Sequence, residues 1–151
     1  LYFQAVFGSQ FKRGQACGIN NHLNYGYAIA RAAIARALVP YGWLPALGLF
    51  HRNELNPFNL ADGFIEPYRP IVDLMVWHLH DQGRLKENLT PNAKQQLVAI
   101  LNQQICLDQQ TFSVLAAIDR TIASFQISLA DKNAKLLKLP GILPLKEHQY
   151  E

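Results

Sequence analysis

The chain has 151 residues, half of them hydrophobic, and 14 Lys and Arg against 11 Asp and Glu leave a formal charge of +3. That is enough chain for one domain with a real core, and a charge that permits nucleic-acid binding without demanding it. Cys17 and Cys106 lie far apart with no Cys-x-x-Cys pair, which excludes a cysteine-built zinc site and fits reduced thiols in a cytoplasmic setting. The uncharged run 37–50 is broken by Pro40, Gly42 and Pro45, so no membrane span is expected. The first residues lack the basic region of a secretory leader, and none is expected.

Residues 1–8 read as the end of a helix stopped by Gly8 and Ser9, with Lys12 and Arg13 in a polar loop after it. The clearest helix covers 21–39. Leu23, Tyr27, Ala30, Ile34 and Leu38 recur at helical spacing. Ala28, Ala32, Ala33 and Ala35 give it a second face small enough for a close neighbour, and Asn20 or Asn21 stands where a cap belongs. A helix apolar on most sides belongs in the middle of a bundle. Pro40 and Gly42 end it. Residues 43–56 form a loop carrying His51, with Arg52 and Asn53 beside it.

Asn56-Pro57 marks the next helix start, a cap followed by proline. That helix runs to Glu66. Pro67 has no N–H and its ring crowds the carbonyl of Gly63, so the helix kinks or restarts there. The second segment continues through Pro70 to about 82 and stops at Gly83, with His78 and His80 as favourable charges near its C-terminus. Thr90-Pro91 starts another helix, to about 104. Around Asp108-Gln109-Gln110 the chain forms either a tiny hairpin or a turn. A long helix follows over 113–131, with Leu115, Ile118, Ile122, Phe125 and Leu129 as its stripe. The expected fold is all-α: a single bundle of five or six helices over 1–139, with 140–151 as a flexible tail.

The stretch 47–73, LGLFHRNELNPFNLADGFIEPYRPIVD, places polar groups in an otherwise apolar segment. Asp62, Glu66, Arg69 and Asp73 are spaced 4, 3 and 4 apart, which puts all four on one helical face. The residues alone leave two readings. One is a solvated ladder of ion pairs, Glu66–Arg69 and Arg69–Asp73. The other is a divalent-metal pair, with His51 on its loop facing Glu66 on the helix. A carboxylate with one imidazole suits Mn²⁺ or Mg²⁺ better than a closed zinc site. Such an ion can activate a hydroxyl or a water and clamp phosphate oxygens.

Four segments carry a family resemblance: LYFQAVFGSQFKR at 1–13, NYGYAIARAAIARAL at 24–38, PALGLFHRNELNPFNLAD at 45–62 and IEPYRPIVD at 65–73. Together they resemble the CRISPR-associated integrase of spacer acquisition, its type II branch in particular, collinearly to about residue 140. The resemblance implies a metal-dependent DNA endonuclease and integrase of CRISPR adaptation, in which the 3′-hydroxyl of a spacer attacks a repeat strand. It implies His51 and Glu66 as catalytic residues and as ligands of Mn²⁺ or Mg²⁺. It further implies a third ligand, a glutamate upstream of Tyr2-Phe3, and a β-rich N-terminal domain. On that basis the chain is expected to be the C-terminal helical lobe of a longer protein, and inactive alone. Within that reading Asp62 is expected to orient a ligand or a water, and Arg69 either orients Glu66, neutralises a phosphate or forms a structural salt bridge; Arg52 and Asn53, from their place beside His51, either meet DNA phosphate or are solvated loop residues. Gly63 stands where many relatives carry a second Asp. The implied partners are double-stranded and branched DNA, a small ferredoxin-like partner nuclease, and a second copy in a homodimer of the full-length protein, with no membrane. The alternative from another class is a non-catalytic helical module that binds DNA or protein.

Overall fold

A computed structural model of the chain describes residues 2–49 and 53–141. In chain order the elements are α1 (Tyr2–Phe7), α2 (Gly18–Leu38), α3 (Asn59–Ile65), α4 (Arg69–Asp81), α5 (Pro91–Ala99), β1 (Gln104–Leu107), β2 (Gln110–Ser113), α6 (Val114–Ala130) and β3 (Pro140–Gly141). The axis is α2, on which α3, α4, α5 and α6 all pack. Its expected stripe is buried throughout, from Leu23 to Leu38. Gly26 sets the closeness of one neighbour: a Cβ there would lie 2.5 Å from Val72 Cγ1 on α4.

The start of α2 differs from expectation. It begins at Gly18, and its N-cap residue Cys17 makes no side-chain capping bond. Asn20 is buried instead. Its Nδ2 donates to the carbonyls of Lys12 and Gln15, each at 2.9 Å, while its Oδ1 accepts from Arg13 Nη1 at 2.8 Å. Asn20 therefore ties the preceding loop to the helix from inside the first turn. The other end is as expected: a 3-10 turn over Val39–Tyr41 and Gly42 at φ 80, in the left-handed region glycine tolerates.

α3 starts two residues later than the Asn56-Pro57 signal. Asn56 Oδ1 accepts from the Phe58 N–H at 3.0 Å, a local turn that competes with capping. The break at Pro67 is present as a 3-10 turn over Glu66–Tyr68, after which α4 begins at Arg69. Each residue of a 3-10 turn advances about 120°, against about 100° in an α-helix. The side chains of α4 are therefore rotated from where a single continuous helix would put them. α4 ends at Asp81, and Gly83 has φ 64. Thr90 caps α5 by accepting from the Ala93 N–H at 3.2 Å.

The all-α expectation is corrected by a small sheet. β1 and β2 form a hairpin in which Ile105 faces Phe112 and Leu107 faces Gln110. Asp108 and Gln109, at φ 54 and 62, close it. Two left-handed residues give the turn whose twist matches paired strands. β3 pairs antiparallel with the other edge of β1, giving the order β2-β1-β3. The fold is thus mainly helical with a three-stranded antiparallel sheet. Residues 140–141, the beginning of the stretch read as a tail, form β3; residues 142–151 lie outside the described residues.

The α6 stripe is also corrected. Ile118, Ile122 and Phe125 are buried, but Leu115 and Leu129 are exposed. The core face runs instead through Val114, Ala117, Thr121 and Ser128. Its polar members are paired: Thr121 Oγ1 with the Tyr68 hydroxyl at 2.8 Å, and Ser128 Oγ donating to the Asn133 carbonyl at 2.9 Å. Small satisfied hydroxyls pass into a core, and hydropathy alone misplaces them. No described helix is long and apolar enough to cross a membrane.

Candidate functional site

Glu66 opens the 3-10 turn between α3 and α4. Its side chain is 56% exposed, and Arg69 Nη2 lies 3.2 Å from Oε1. It borders an apolar groove of about 330 Å³ walled by Leu49, Leu60, Phe64, Phe125 and Leu137. Asp62, one turn back, lines a different cleft, also of about 330 Å³, with Arg13, Asn24, Tyr27, Arg31 and Arg69. Asn56 Nδ2 donates to Asp62 Oδ2 at 2.7 Å, and Arg31 Nη1 lies 3.7 Å from Oδ1.

His51 and Arg52 lie outside the described residues, and so does the expected pairing of His51 with Glu66. Among the described residues no group of three His, Cys, Asp or Glu is placed to hold a metal. The two sides of the His51 loop are described, and one side chain gathers them. Asn59, buried at the first position of α3, donates from Nδ2 to the carbonyls of Ala46 (3.1 Å), Asn53 (2.7 Å) and Asn56 (3.1 Å). The Leu60 N–H adds a bond to the Pro45 carbonyl at 2.7 Å. The loop is thereby tied at both ends to the first turn of the helix that leads to Glu66.

Asp73 departs from the expected ladder. It is 3% exposed, and among the described residues it makes no ion pair with Arg69. Its carboxylate accepts from the Tyr27 hydroxyl and from the Tyr2 hydroxyl, the latter at 2.9 Å. Burial, and then the bond to Asp73, push the Tyr2 phenol up to about 12 and the Tyr27 phenol higher still. Arg69 and Arg13 lie over the Tyr27 ring, 5.0 and 5.4 Å from its centroid. Of the four residues spaced along one face, Glu66 and Arg69 pair. Asp62 turns to Arg31, and Asp73 is a buried joint between α1, α2 and α4. The pair that survives, Glu66 and Arg69, is the one that spans the 3-10 turn.

α1 buries no residue of its own. It is held by Tyr2 on Asp73 and by the Phe3, Phe7 and Phe11 rings, whose centroids lie 5.2–6.5 Å apart. Tyr2 lies beside Asp73 and the Phe7 ring lies 6.4 Å from His80, so α1 and α4 run in the same direction. Sequence reasoning did not single out Arg13, Arg31 or Asn59. For Arg31 a signal existed: Asn24, Tyr27 and Arg31 are spaced 3 and 4 apart, one face of α2. For Asn59 the sequence holds none.

This arrangement of helices around α2 recurs in a solved structure. The solved structure of a casposase bound to integration product matches 94% of this chain and 45% of that one, with a TM-score of 0.69 and 25% identity. The family model described as CRISPR associated protein Cas1 matches residues 4–106. The chain belongs to the Cas1 family. It is 64% identical over all 151 residues to the CRISPR-associated endonuclease Cas1 of Neisseria meningitidis serogroup C (strain 8013), covering 50% of that protein. It is 30% identical over 105 residues to a CRISPR-associated endonuclease Cas1 1 of Francisella tularensis subsp. novicida (strain U112), matching 69% of this chain and 33% of that protein. The chain spans half or less of the length of these relatives.

Proposed function

We propose that the chain is the helical lobe, over 1–139 and the paired strand β3 that follows, of a longer type II Cas1 integrase. That protein is a metal-dependent DNA endonuclease that inserts spacers into the repeat array by 3′-hydroxyl attack on a phosphodiester. The observation that carries this reading is the 64% identity over all 151 residues to a CRISPR-associated endonuclease Cas1, with Glu66 an exposed carboxylate at a proline-broken helix. The donor chemistry fits a hard divalent ion, since Mn²⁺ and Mg²⁺ take carboxylate oxygen and tolerate one imidazole. His51 and Glu66 would hold it. When bound, such an ion polarises a phosphoryl oxygen and the attacking hydroxyl.

The chain's own residues supply the rest. Arg69, paired to Glu66, orients that carboxylate and presents positive charge to a phosphate. Asp62, held by the Asn56 amide, orients a ligand or a water. Arg52 adds a DNA contact. A glutamate upstream of Tyr2 would complete the ligand set. The partners are double-stranded and branched DNA, the small ferredoxin-like nuclease of the adaptation complex and a second copy, in the cytoplasm.

The test is Glu66→Gln in the full-length protein. The amide keeps the shape and removes the charge, so strand joining and branched-DNA cleavage are expected to be abolished. The thermal midpoint should be unchanged at so exposed a position. Undiminished joining by this variant would end the reading.

A further inference from the structure

The cleft between α2 and the α3–α4 break is a second place where charge is concentrated. Three guanidiniums, of Arg13, Arg31 and Arg69, line it with a single carboxylate, Asp62. Their partners differ. Arg13 is aimed by neutral amides, its Nη1 and Nη2 each 2.8 Å from Asn20 Oδ1 and Asn24 Oδ1. Among the described residues it has no carboxylate partner. Arg31 is 3.7 Å from Asp62, a long contact for a side chain 39% exposed, and such pairs stabilise little. Arg69 reaches out to Glu66, and its Nε is buried with no partner among the described residues. The aromatic rings nearby are already covered: Tyr27 by Arg13 and Arg69, and Phe58 by Arg31 at 4.9 Å.

We propose that this cleft holds backbone phosphates of the DNA strand that reacts at Glu66. The inference rests on the integrase reading of the chain and extends it to a location and a mode. Fork-shaped guanidiniums match phosphate oxygens. The Asn24 amide N–H groups remain to donate beside them. With the rings covered, nothing in the lining offers a free face for base stacking, so the contact is indifferent to sequence. Arg69 belongs to both the cleft and Glu66, which puts the held phosphates next to the reacting one.

The test titrates the full 151-residue chain with two labelled DNA duplexes of unrelated sequence across a range of salt. Arg31→Gln is the main variant, Arg31→Lys its charge-preserving counterpart and Arg120→Gln, on α6, the control. Arg31→Gln is expected to weaken both duplexes equally and to reduce the slope of log K against log salt by about 1. Arg31→Lys and Arg120→Gln should keep the wild-type slope. Inorganic phosphate should compete no better than chloride at equal ionic strength; strong competition would reassign the cleft to a free phosphate and overturn its assignment to a strand. An unchanged slope in Arg31→Gln, or an equal loss in Arg120→Gln, would overturn the cleft while leaving the integrase reading intact. Wild-type chain that binds neither duplex would end both.

Discussion

Asp73→Ala is expected to destabilise the chain by about 3 kcal/mol and to release α1. The carboxylate is buried and is the acceptor for two phenols, one on α1 and one on α2. Removing it leaves the buried Tyr27 hydroxyl without that acceptor, at about 1–3 kcal/mol, and adds a void between helices that cannot fully close. Asp73→Asn keeps an acceptor oxygen and the shape, so its loss should be about half as large. Denaturant titration of both variants provides the measurement. The same network sets an alkaline limit. The folded Tyr2 phenol is raised from 10.0 to about 12, so folding favours the protonated form. That contribution is complete below about pH 10, where the unfolded phenol is also protonated, and is lost as pH rises toward about 12. In Asp73→Ala this alkaline loss should shrink. A variant with the wild-type denaturation midpoint would show that Asp73 does not join the three helices.

Asn59→Ala should destabilise by about 2–3 kcal/mol and, more specifically, free the loop ahead of α3. One amide group serves three carbonyls on the two sides of the His51 loop. Truncation orphans them in a partly buried setting, at about 1 kcal/mol or more each where water cannot enter. Asn59→Asp is the sharper variant. It has the same shape, but it replaces a donor with an anion facing three carbonyl oxygens, so it should be at least as damaging as alanine. Limited proteolysis reads the loop directly: cleavage within 46–56 should accelerate in both variants while α2 and α6 stay protected. Protease resistance equal to wild type in both would remove Asn59 from its place in the loop.

The parts of this fold that the sequence made legible are those with long, regular signals. α2 carries its stripe through 21 residues, and Pro67 announces its own break through missing hydrogen-bonding capacity. The sheet was legible only in part: a hairpin was one of two readings open around Asp108-Gln109-Gln110, and strands of four, four and two residues are too short for a period to choose between them or to announce β3. The stripe of α6 misled because Thr121 and Ser128, not Leu115 and Leu129, face the core. At the candidate site the spacing of Asp62, Glu66, Arg69 and Asp73 assumed one continuous helix. Only Glu66 and Arg69, on either side of the 3-10 turn, pair, and Asp73 found partners 46 and 71 residues away in the chain, a distance no local pattern reports. For Glu66 the family motif is the only signal the sequence offers that chooses between the two readings. His51 lies outside the described residues.

Arg69 is held in common by a carboxylate at the helix break and by a cleft lined with other cations. Under the proposed site, a cation at Glu66 would compete with the guanidinium for the same oxygens, and an anion in the cleft would draw that guanidinium away. Each ligand would then lower the work of admitting the other, by the same factor in both directions. Arg69 is the side chain through which the two sites would be coupled.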